Sequence, residues 1–338
     1  MRARLIAHYL PQFHPVPEND ACWGRGFTEW TLVARARPLF AGHQQPKLPA
    51  DLGFYDLRVP ETRAAQAEMA EAHGISAFCW WTYWLGGGRR MLERPFREVL
   101  ESGEPRLPFC VGWANHPWTD AWRGNASRVF VEQTYPGPVD YHLFFDAMLP
   151  YFRDDRYFRV DGKPLFLIYR IDDLPDPYVF NEIFRQRAHE AGLGGLYMVA
   201  YKPNRRRAGI YDLDAAVWAM PNSLPSLLPR TPPIYDFGEV AYLLPGPADM
   251  HATDHPSIVT GWDNSPRWGA ASTILTGYTP TVFRTHVRDV LDRVAAQPLE
   301  RRLVFVKSWN EWSEGNYLEP DDVHGMGFLE ALRDEVVG

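Results

Sequence analysis

The chain has 338 residues, of which 46% are hydrophobic and 14% aromatic, and its formal net charge is −7. This length and composition support a large core in one domain over residues 1–338, and the negative charge argues against a nucleic-acid partner. The three cysteines, Cys22, Cys79 and Cys110, lie far apart with no CxxC pair. Their spacing argues against a disulfide framework or a zinc knuckle and fits a reducing compartment.

The sequence shows no targeting or membrane segment. Residues 1–9 contain an apolar run that is too short for a signal peptide. No run of about 18 apolar residues predicts a membrane span. We therefore expect a cytoplasmic protein, and the sequence does not reveal its oligomeric state. Arg205–Arg207 is the one tight basic cluster, and we expect it to be a solvated loop.

The predicted elements begin with a strand at Leu5–Leu10, followed by a loop over residues 11–30 that is rich in turn-forming and aromatic residues. A long loop of this composition is typical of a binding loop. Its Gly24-Arg25-Gly26 segment does not open a helix after a strand, so we do not expect a phosphate-binding loop.

Short apolar strands and helical periodicities alternate along the rest of the chain. The further predicted strands are Ile75–Tyr83, Pro108–His116, Pro164–Tyr169, Leu196–Tyr201, Ala215–Met220, Ser257–Asn264 and Leu303–Val306. The predicted helices are Pro60–His73, Met91–Glu101, Val139–Phe152, Tyr178–Ala191, Pro280–Ala296 and Gly327–Val336, with a short helix near Val240.

This alternation implies a parallel sheet of the α/β class. Eight strands predict a single (β/α)8 TIM barrel with long aromatic-rich loops at the C-terminal face of the strands. An open doubly wound sheet is the alternative, but it would normally have a glycine-rich first turn, which is missing.

The segment after the eighth strand carries the most specific chemical pattern. Glu311 and Glu314 are three residues apart and alternate with Trp309 and Trp312. Indole rings stack on the C–H faces of pyranose rings, and paired carboxylates are the usual groups in glycosidic-bond chemistry. The two glutamates can share a face only if the chain turns after residue 310, and Gly315 suits the end of such a turn.

Longer motifs resemble a known family. The stretch Trp309–Pro320 resembles the signature of the WbsX-type glycan-processing family, which is similar to glycoside hydrolase family 99, the endo-α-mannosidases with a (β/α)8 barrel. Further landmarks of that family match His8–His14, Gly24–Trp30, Trp113–Asn115 with Trp118, Lys163–Tyr169 and Gly261–Asn264. One departure is His116, where the family usually has a glutamate.

The resemblance implies roles for the two catalytic residues, Glu311 and Glu314. Glu311 would assist the 2-hydroxyl of the sugar in attacking the anomeric carbon, which gives a 1,2-anhydro sugar. Glu314 would protonate the leaving oxygen and later activate water, so that configuration is retained. The predicted substrate-binding residues are His8, Tyr9, Gln12, Glu29, Trp30, Tyr83, Trp113, Asn115, His116, Tyr169, Trp262, Asp263, Trp309, Asn310 and Trp312. No metal site and no cofactor are predicted.

The predicted activity is a retaining glycoside hydrolase that acts on a bacterial polysaccharide or oligosaccharide. A glycosyltransferase of polysaccharide biosynthesis is the first alternative, but it would need a nucleotide-sugar site and the sequence has no DxD motif. A non-catalytic carbohydrate-binding barrel is the second alternative, and it should have lost one of the two glutamates. The partner in every case is a carbohydrate.

Overall fold

The structure is a computed structural model that describes residues 1–120, 125–203, 211–247, 250–251 and 253–338, with only the backbone at 125, 126 and 222. The arginine cluster Arg205–Arg207 lies outside these residues. The backbone forms two compact units. The first unit contains Met1–Ser76, Ala219–Met250 and Pro256–Gly338, and the second contains Ala77–Trp218 and His251–His255. The single domain over residues 1–338 stays a prediction.

Strands and helices alternate through the described chain. The strands are β1 (Arg4–Tyr9), β2 (Ile75–Trp84), β3 (Arg90–Met91), β4 (Phe109–Trp113), β5 (Trp118–Asp120), β6 (Asn125–Val131), β7 (Arg159–Val160), β8 (Lys163–Ile168), β9 (Tyr197–Tyr201), β10 (Ala215–Trp218), β11 (Ile234–Asp236), β12 (His255–Val259), β13 (Ile274–Thr276), β14 (Leu303–Lys307), β15 (Asn310–Glu311) and β16 (Asn316–Tyr317). The helices are α1 (Pro17–Trp23), α2 (Glu29–Arg35), α3 (Pro60–Ala72), α4 (Arg94–Ser102), α5 (Pro138–Phe152), α6 (Pro177–Glu190), α7 (Leu224–Leu227), α8 (Phe237–Val240), α9 (Ser265–Trp268), α10 (Pro280–Val294) and α11 (Gly327–Val337).

The predicted (β/α)8-barrel fold is confirmed, with β1, β2, β4, β8, β9, β10, β12 and β14 as its parallel strands. In the first unit β14 lies between β1 and β12, with Ile6 and Ser257 both opposite Phe305. In the second unit the order is β2, β4, β8, β9, β10, and the short β3 pairs antiparallel with β2. Active sites of this fold lie where the parallel strands end, so the residues that follow each strand are the candidates for a functional site.

Aromatic packing fixes the second unit. Phe180 and Phe184 lie one turn apart on α6, and their ring centroids are 4.2 Å apart. Phe184 also packs against Phe144 of α5 at 5.4 Å and against Phe166 of β8 at 5.3 Å. Asp176 caps the start of α6 by accepting hydrogen bonds from two backbone amides. The cap and the aromatic stripe together hold two helices on one strand.

Two sequence predictions are wrong in detail. The predicted loop over residues 11–30 contains α1 and the start of α2. Pro17 begins the first of these helices, and the Thr28 amide donates to the Thr31 hydroxyl at the start of the second, so local capping outweighs the turn-forming composition. The seventh strand ends at Val259, five residues earlier than predicted, which puts the polar stretch that follows it in a loop.

Replacement of Phe184 by alanine tests this packing. Phe184 is fully buried, so the change leaves a cavity, and we expect the free energy of unfolding to fall by about 3–5 kcal/mol. Urea denaturation followed by circular dichroism measures the change. Leu299→Ala, at an exposed position, is the control and should stay within about 0.5 kcal/mol of the wild type. A loss below about 1 kcal/mol in Phe184→Ala would contradict the packing described.

Candidate functional site

The chain makes the expected turn just beyond Asn310, beginning at Trp312. Strand β15 ends at Glu311, a short 3-10 turn covers Trp312–Glu314, and Gly315 follows with a φ of +57°. A side chain at Gly315 would be strained by this φ, and its Cβ would lie 2.8 Å from the Cβ of Asp263. The turn therefore places both glutamate side chains on the first unit, close to the loop after β12.

One arginine brings three carboxylates together. Nη2 of Arg267 lies 2.6 Å from Oε1 of Glu311 and 3.1 Å from Oε2 of Glu29. Nη1 of the same arginine lies 2.7 Å from Oε1 of Glu314. The planar guanidinium suits such contacts because its donors form a rigid fork. We call Arg267, Glu29, Glu311 and Glu314 the arginine–carboxylate cluster; its side chains are at most 20% exposed.

Burial sets the protonation of this cluster. Burial raises the pKa of Glu311 to about 7; the Arg267 charge opposes this shift, and the charges of Glu314 and Glu29 add to it. Burial by itself would lower the pKa of Arg267, but the three carboxylates raise it above its usual value, so the guanidinium stays charged. Nζ of Lys307 lies 3.9 Å from Oε2 of Glu314. Glu311 is therefore a carboxyl that gains and loses its proton near neutral pH.

The two tryptophans of the motif are buried. Trp309 is 0% and Trp312 is 1% exposed. The Trp312 ring stacks on Tyr317 with centroids 3.8 Å apart, and its Nε1 donates to Oε2 of Glu319 at 2.7 Å. The two indole rings thus pack against other protein groups and support the turn.

Glu319 is the acceptor for several of these supporting side chains. Besides Trp312 it accepts hydrogen bonds from the Tyr55 hydroxyl at 2.8 Å and from Nε2 of Gln66 at 2.6 Å. Burial raises the pKa of Glu319 to about 7, although the hydrogen bonds it accepts oppose this shift. The sequence offers no signal for this role, since a single glutamate before a proline is an ordinary surface pattern.

Asn310 and the strand-end residues of β1 face inward. Oδ1 of Asn310 accepts from the Leu10 amide at 2.8 Å, and its Nδ2 donates to the Leu10 carbonyl at 3.1 Å. His8 is 1% exposed, and burial lowers its pKa well below the usual value, so the imidazole is neutral. The Tyr9 hydroxyl donates to Oε1 of Gln66 at 2.6 Å. These contacts tie the turn to the end of the first strand.

The side chains of Gln12 and Trp30 also contact other groups of the protein. Nε2 of Gln12 lies 3.5 Å from Oδ1 of Asn19, and Nε1 of Trp30 donates to the Tyr55 carbonyl at 2.8 Å. Both side chains are buried. The structure places them in the support of the site, and a substrate contact for either remains a prediction.

Asp263 anchors the loop before residue 47. Its Oδ2 lies 2.8 Å from Nε2 of His43 and accepts from Nε2 of Gln45 at 2.7 Å, and its Oδ1 accepts from the Ser265 amide at 3.1 Å. Burial alone would raise the pKa of Asp263, but the His43 contact and the other partners hold it well below its usual range. Trp262 is buried, with Nζ of Lys307 5.1 Å from its ring centroid.

The second unit holds another group of predicted residues. Asn115 is fully buried, and its amide exchanges two hydrogen bonds with the backbone of Arg170, at 2.7 and 2.8 Å. The His116 ring lies 5.5 Å from Tyr169, which in turn packs against Trp81 at 5.4 Å. These three rings are half-buried, and a substrate contact for His116 or Tyr169 stays a prediction.

Trp113 and Tyr83 are buried in the same unit. Nε1 of Trp113 donates to the Trp84 carbonyl at 2.9 Å, and Tyr83 meets the Trp118 ring edge-on with centroids 5.6 Å apart.

Within the residues that the structure describes, no group of three or more His, Cys, Asp or Glu side chains could hold a metal ion. No helix among those residues is long and apolar enough to cross a membrane.

Sequence comparisons place these residues in a wider context. A family model described as Glycosyltransferase WbsX matches residues 5–332. The uncharacterized protein WxcX of two strains of Xanthomonas campestris pv. campestris is 39% identical over 344 residues, which is 98% of this chain and 49% of the relative. The chain therefore spans about half the length of these curated relatives.

Structural comparisons agree on the fold. A glycoside hydrolase-like protein superposes with a TM-score of 0.61 at 16% identity, covering 99% of this chain and 94% of that chain. The GH99 endo-α-mannosidase of Bacteroides thetaiotaomicron, in complex with BIS-TRIS-propane, superposes with a TM-score of 0.59 at 15% identity, covering 99% and 96%. At these identities the likeness shows the fold alone.

Replacement of Glu319 by alanine tests the supporting network. The change leaves the buried donors of Tyr55, Gln66 and Trp312 without their acceptor, and we expect the free energy of unfolding to fall by about 3 kcal/mol or more. Urea denaturation followed by tryptophan fluorescence measures it. Glu330→Ala, at an exposed position, is the matched control. Equal stability of the two variants would show that the network does not support the fold.

Proposed function

We propose that this chain, which belongs to the WbsX glycosyltransferase family, is a carbohydrate-active enzyme that hydrolyses glycosidic bonds in a bacterial polysaccharide or oligosaccharide. The observation that supports this proposal most strongly is the arginine–carboxylate cluster, in which one guanidinium orients Glu311 and Glu314 side by side. Paired carboxylates at the end of a barrel strand are suited to this chemistry.

The proposed mechanism assigns a proton transfer to each glutamate. Glu311 takes the proton of the substrate 2-hydroxyl, and the resulting oxygen attacks the anomeric carbon. Glu314 gives a proton to the leaving oxygen as the glycosidic bond breaks. Water, activated by Glu314, then opens the 1,2-anhydro sugar, and Glu311 returns its proton to the 2-oxygen. The configuration at the anomeric carbon is retained.

The pKa of Glu311 supports its role as the base. A base whose conjugate acid has a pKa of about 7 can both accept and return a proton near neutral pH. Arg267 is a positioning residue in this scheme, since it contacts both glutamates and stays charged. Sequence reasoning missed it, because nothing in the motif indicates an arginine 44 residues before Glu311.

Glycosyl transfer from a nucleotide sugar is the second candidate, and the description of the family favours it. The same two carboxylates could then serve a transfer to a hydroxyl acceptor in place of water. The two candidates differ in one requirement, since only the transferase needs an activated donor sugar.

Replacement of Glu311 or Glu314 by glutamine tests the hydrolase. Proton NMR time courses with a panel of bacterial oligosaccharides, without nucleotide sugars, should show release of a reducing sugar by the wild type. The first anomer to appear should have the configuration of the substrate. Each variant should lose about a hundredfold or more of this rate, because each loses one proton transfer. Glu330→Gln is the control. Turnover that appears only after nucleotide sugars are added would support the transferase.

The pH dependence tests the roles of the two glutamates. With Glu311 as the base, activity should fall below about pH 7 as Glu311 becomes protonated. Glu29→Gln removes one of the negative charges that raise the pKa of Glu311, so the acidic limb of kcat/KM should move to lower pH. The reverse assignment, with Glu311 as the acid, predicts instead that the alkaline limb moves. An unchanged profile would contradict both assignments.

A further inference from the structure

A cavity of about 220 Å³ lies in the first unit, beside the turn that carries Glu314. It is bounded by residues 42–47, by the end of β13 with Gly277–Thr279, and by the segment around residues 321–324. Asp263 is the one predicted site residue that lines it. Most of the residues that line the cavity therefore have no role in the proposed mechanism.

The cavity is adjacent to the turn of the two glutamates. Gly315, the residue after Glu314, forms part of its lining, and the Asp263 amide donates to the Glu314 carbonyl at 2.6 Å. A Cβ on Gly315 would lie 2.9 Å from Nζ of Lys47. A molecule bound in this cavity would thus contact Gly315, which is the residue next to Glu314 in the chain.

Two acids in the lining already have internal donors. The oxygens of Asp263 are occupied by His43, Gln45 and a backbone amide, as described above. Oδ2 of Asp321 accepts from the Tyr317 hydroxyl at 2.8 Å, and its Oδ1 accepts from two backbone amides, at 3.0 and 2.6 Å. These carboxylates shape the cavity and have little capacity left for a ligand.

Two donors in the lining remain available to a ligand. The Tyr278 hydroxyl is buried in the cavity lining and has no hydrogen-bond partner among the described residues, which is unfavourable unless a ligand or water supplies one. The Lys47 ammonium lies 5.8 Å from the centroid of the Tyr317 ring, and no described carboxylate is in ion-pair distance of it. Tyr278 also stacks on Phe328 with centroids 4.3 Å apart, which gives the cavity an aromatic side.

The charged side chains of the lining favour one class of ligand over another. Three carboxylates, Asp263, Asp321 and Asp322, line the cavity with a single ammonium, Lys47. A sugar that bears a carboxylate would add a further negative charge to this group and is disfavoured. A neutral pyranose has oxygens that accept from donors and an apolar face for an aromatic ring.

We propose that this cavity is a subsite for an uncharged pyranose residue of the glycan, whose oxygens accept hydrogen bonds from Lys47 and Tyr278. The inference rests on the proposed function, since it places one residue of the substrate chain beside Glu314. It makes the enzyme selective for neutral sugars over uronic acids at this position.

Ligand titration by saturation-transfer NMR tests the subsite without turnover. The probes are the methyl glycosides of glucose, galactose and mannose, and the matching methyl glucuronide and galacturonide, with the full chain carrying Glu314→Gln. At least one neutral glycoside should bind, and its affinity should exceed that of the uronides. Tyr278→Phe and Lys47→Met should each weaken it about three- to tenfold. Tyr242→Phe, the same change at an exposed tyrosine, is the control and should leave it unchanged.

Three results would overturn the subsite: tighter binding of a uronide, affinities that neither Tyr278→Phe nor Lys47→Met changes, or no binding of any neutral glycoside. The outcome is separable from that of the proposed function. A chain that binds the neutral glycosides through these residues but releases no reducing sugar keeps the subsite and loses the hydrolase. A chain that hydrolyses glycans, with binding unaffected by both Tyr278→Phe and Lys47→Met, keeps the hydrolase and loses the subsite.

Discussion

The contact of one buried guanidinium with three carboxylates is the constraint on which the rest of the site depends. Arg267 fixes Glu311 and Glu314 relative to each other, and Glu29 joins them from another helix. Buried carboxylates are unfavourable without partners, so the cluster needs the guanidinium, and the guanidinium is fully charged because the carboxylates surround it. The same balance leaves Glu311 with a pKa near neutrality, which is what a group that transfers protons requires.

The surroundings of the arginine–carboxylate cluster explain why the motif Trp309–Pro320 is long. Trp312 and Asn310 are buried, and they hold the turn through Glu319 and through the backbone of Leu10. The aromatic and amide residues of the motif therefore support the glutamates, and a sugar contact for them stays a prediction. We also expect ligand contacts from the cavity beside Gly315.

The fold could be predicted from the sequence because it depends on local patterns. Apolar runs and helical periodicities occur in the right order, and each barrel strand was placed within a few residues of its position, except that the seventh ends at Val259. Helices α1 and α2 were missed because their capping residues lie in a composition typical of loops. Arg267 and Glu319 were missed for another reason: their partners are distant in sequence or of ordinary type, and only the folded chain brings them to the glutamates.

A carbon-13 NMR titration of glutamate side-chain carboxyls tests the central claim most directly. The signal of Glu311 is identified by its absence in Glu311→Gln. Our account predicts that this carboxyl titrates with a pKa of about 7 and that the pKa falls in Glu29→Gln. A Glu311 signal that titrates near the ordinary glutamate value, unchanged by Glu29→Gln, would contradict the account, because the carboxylates would then not form one buried cluster around Arg267.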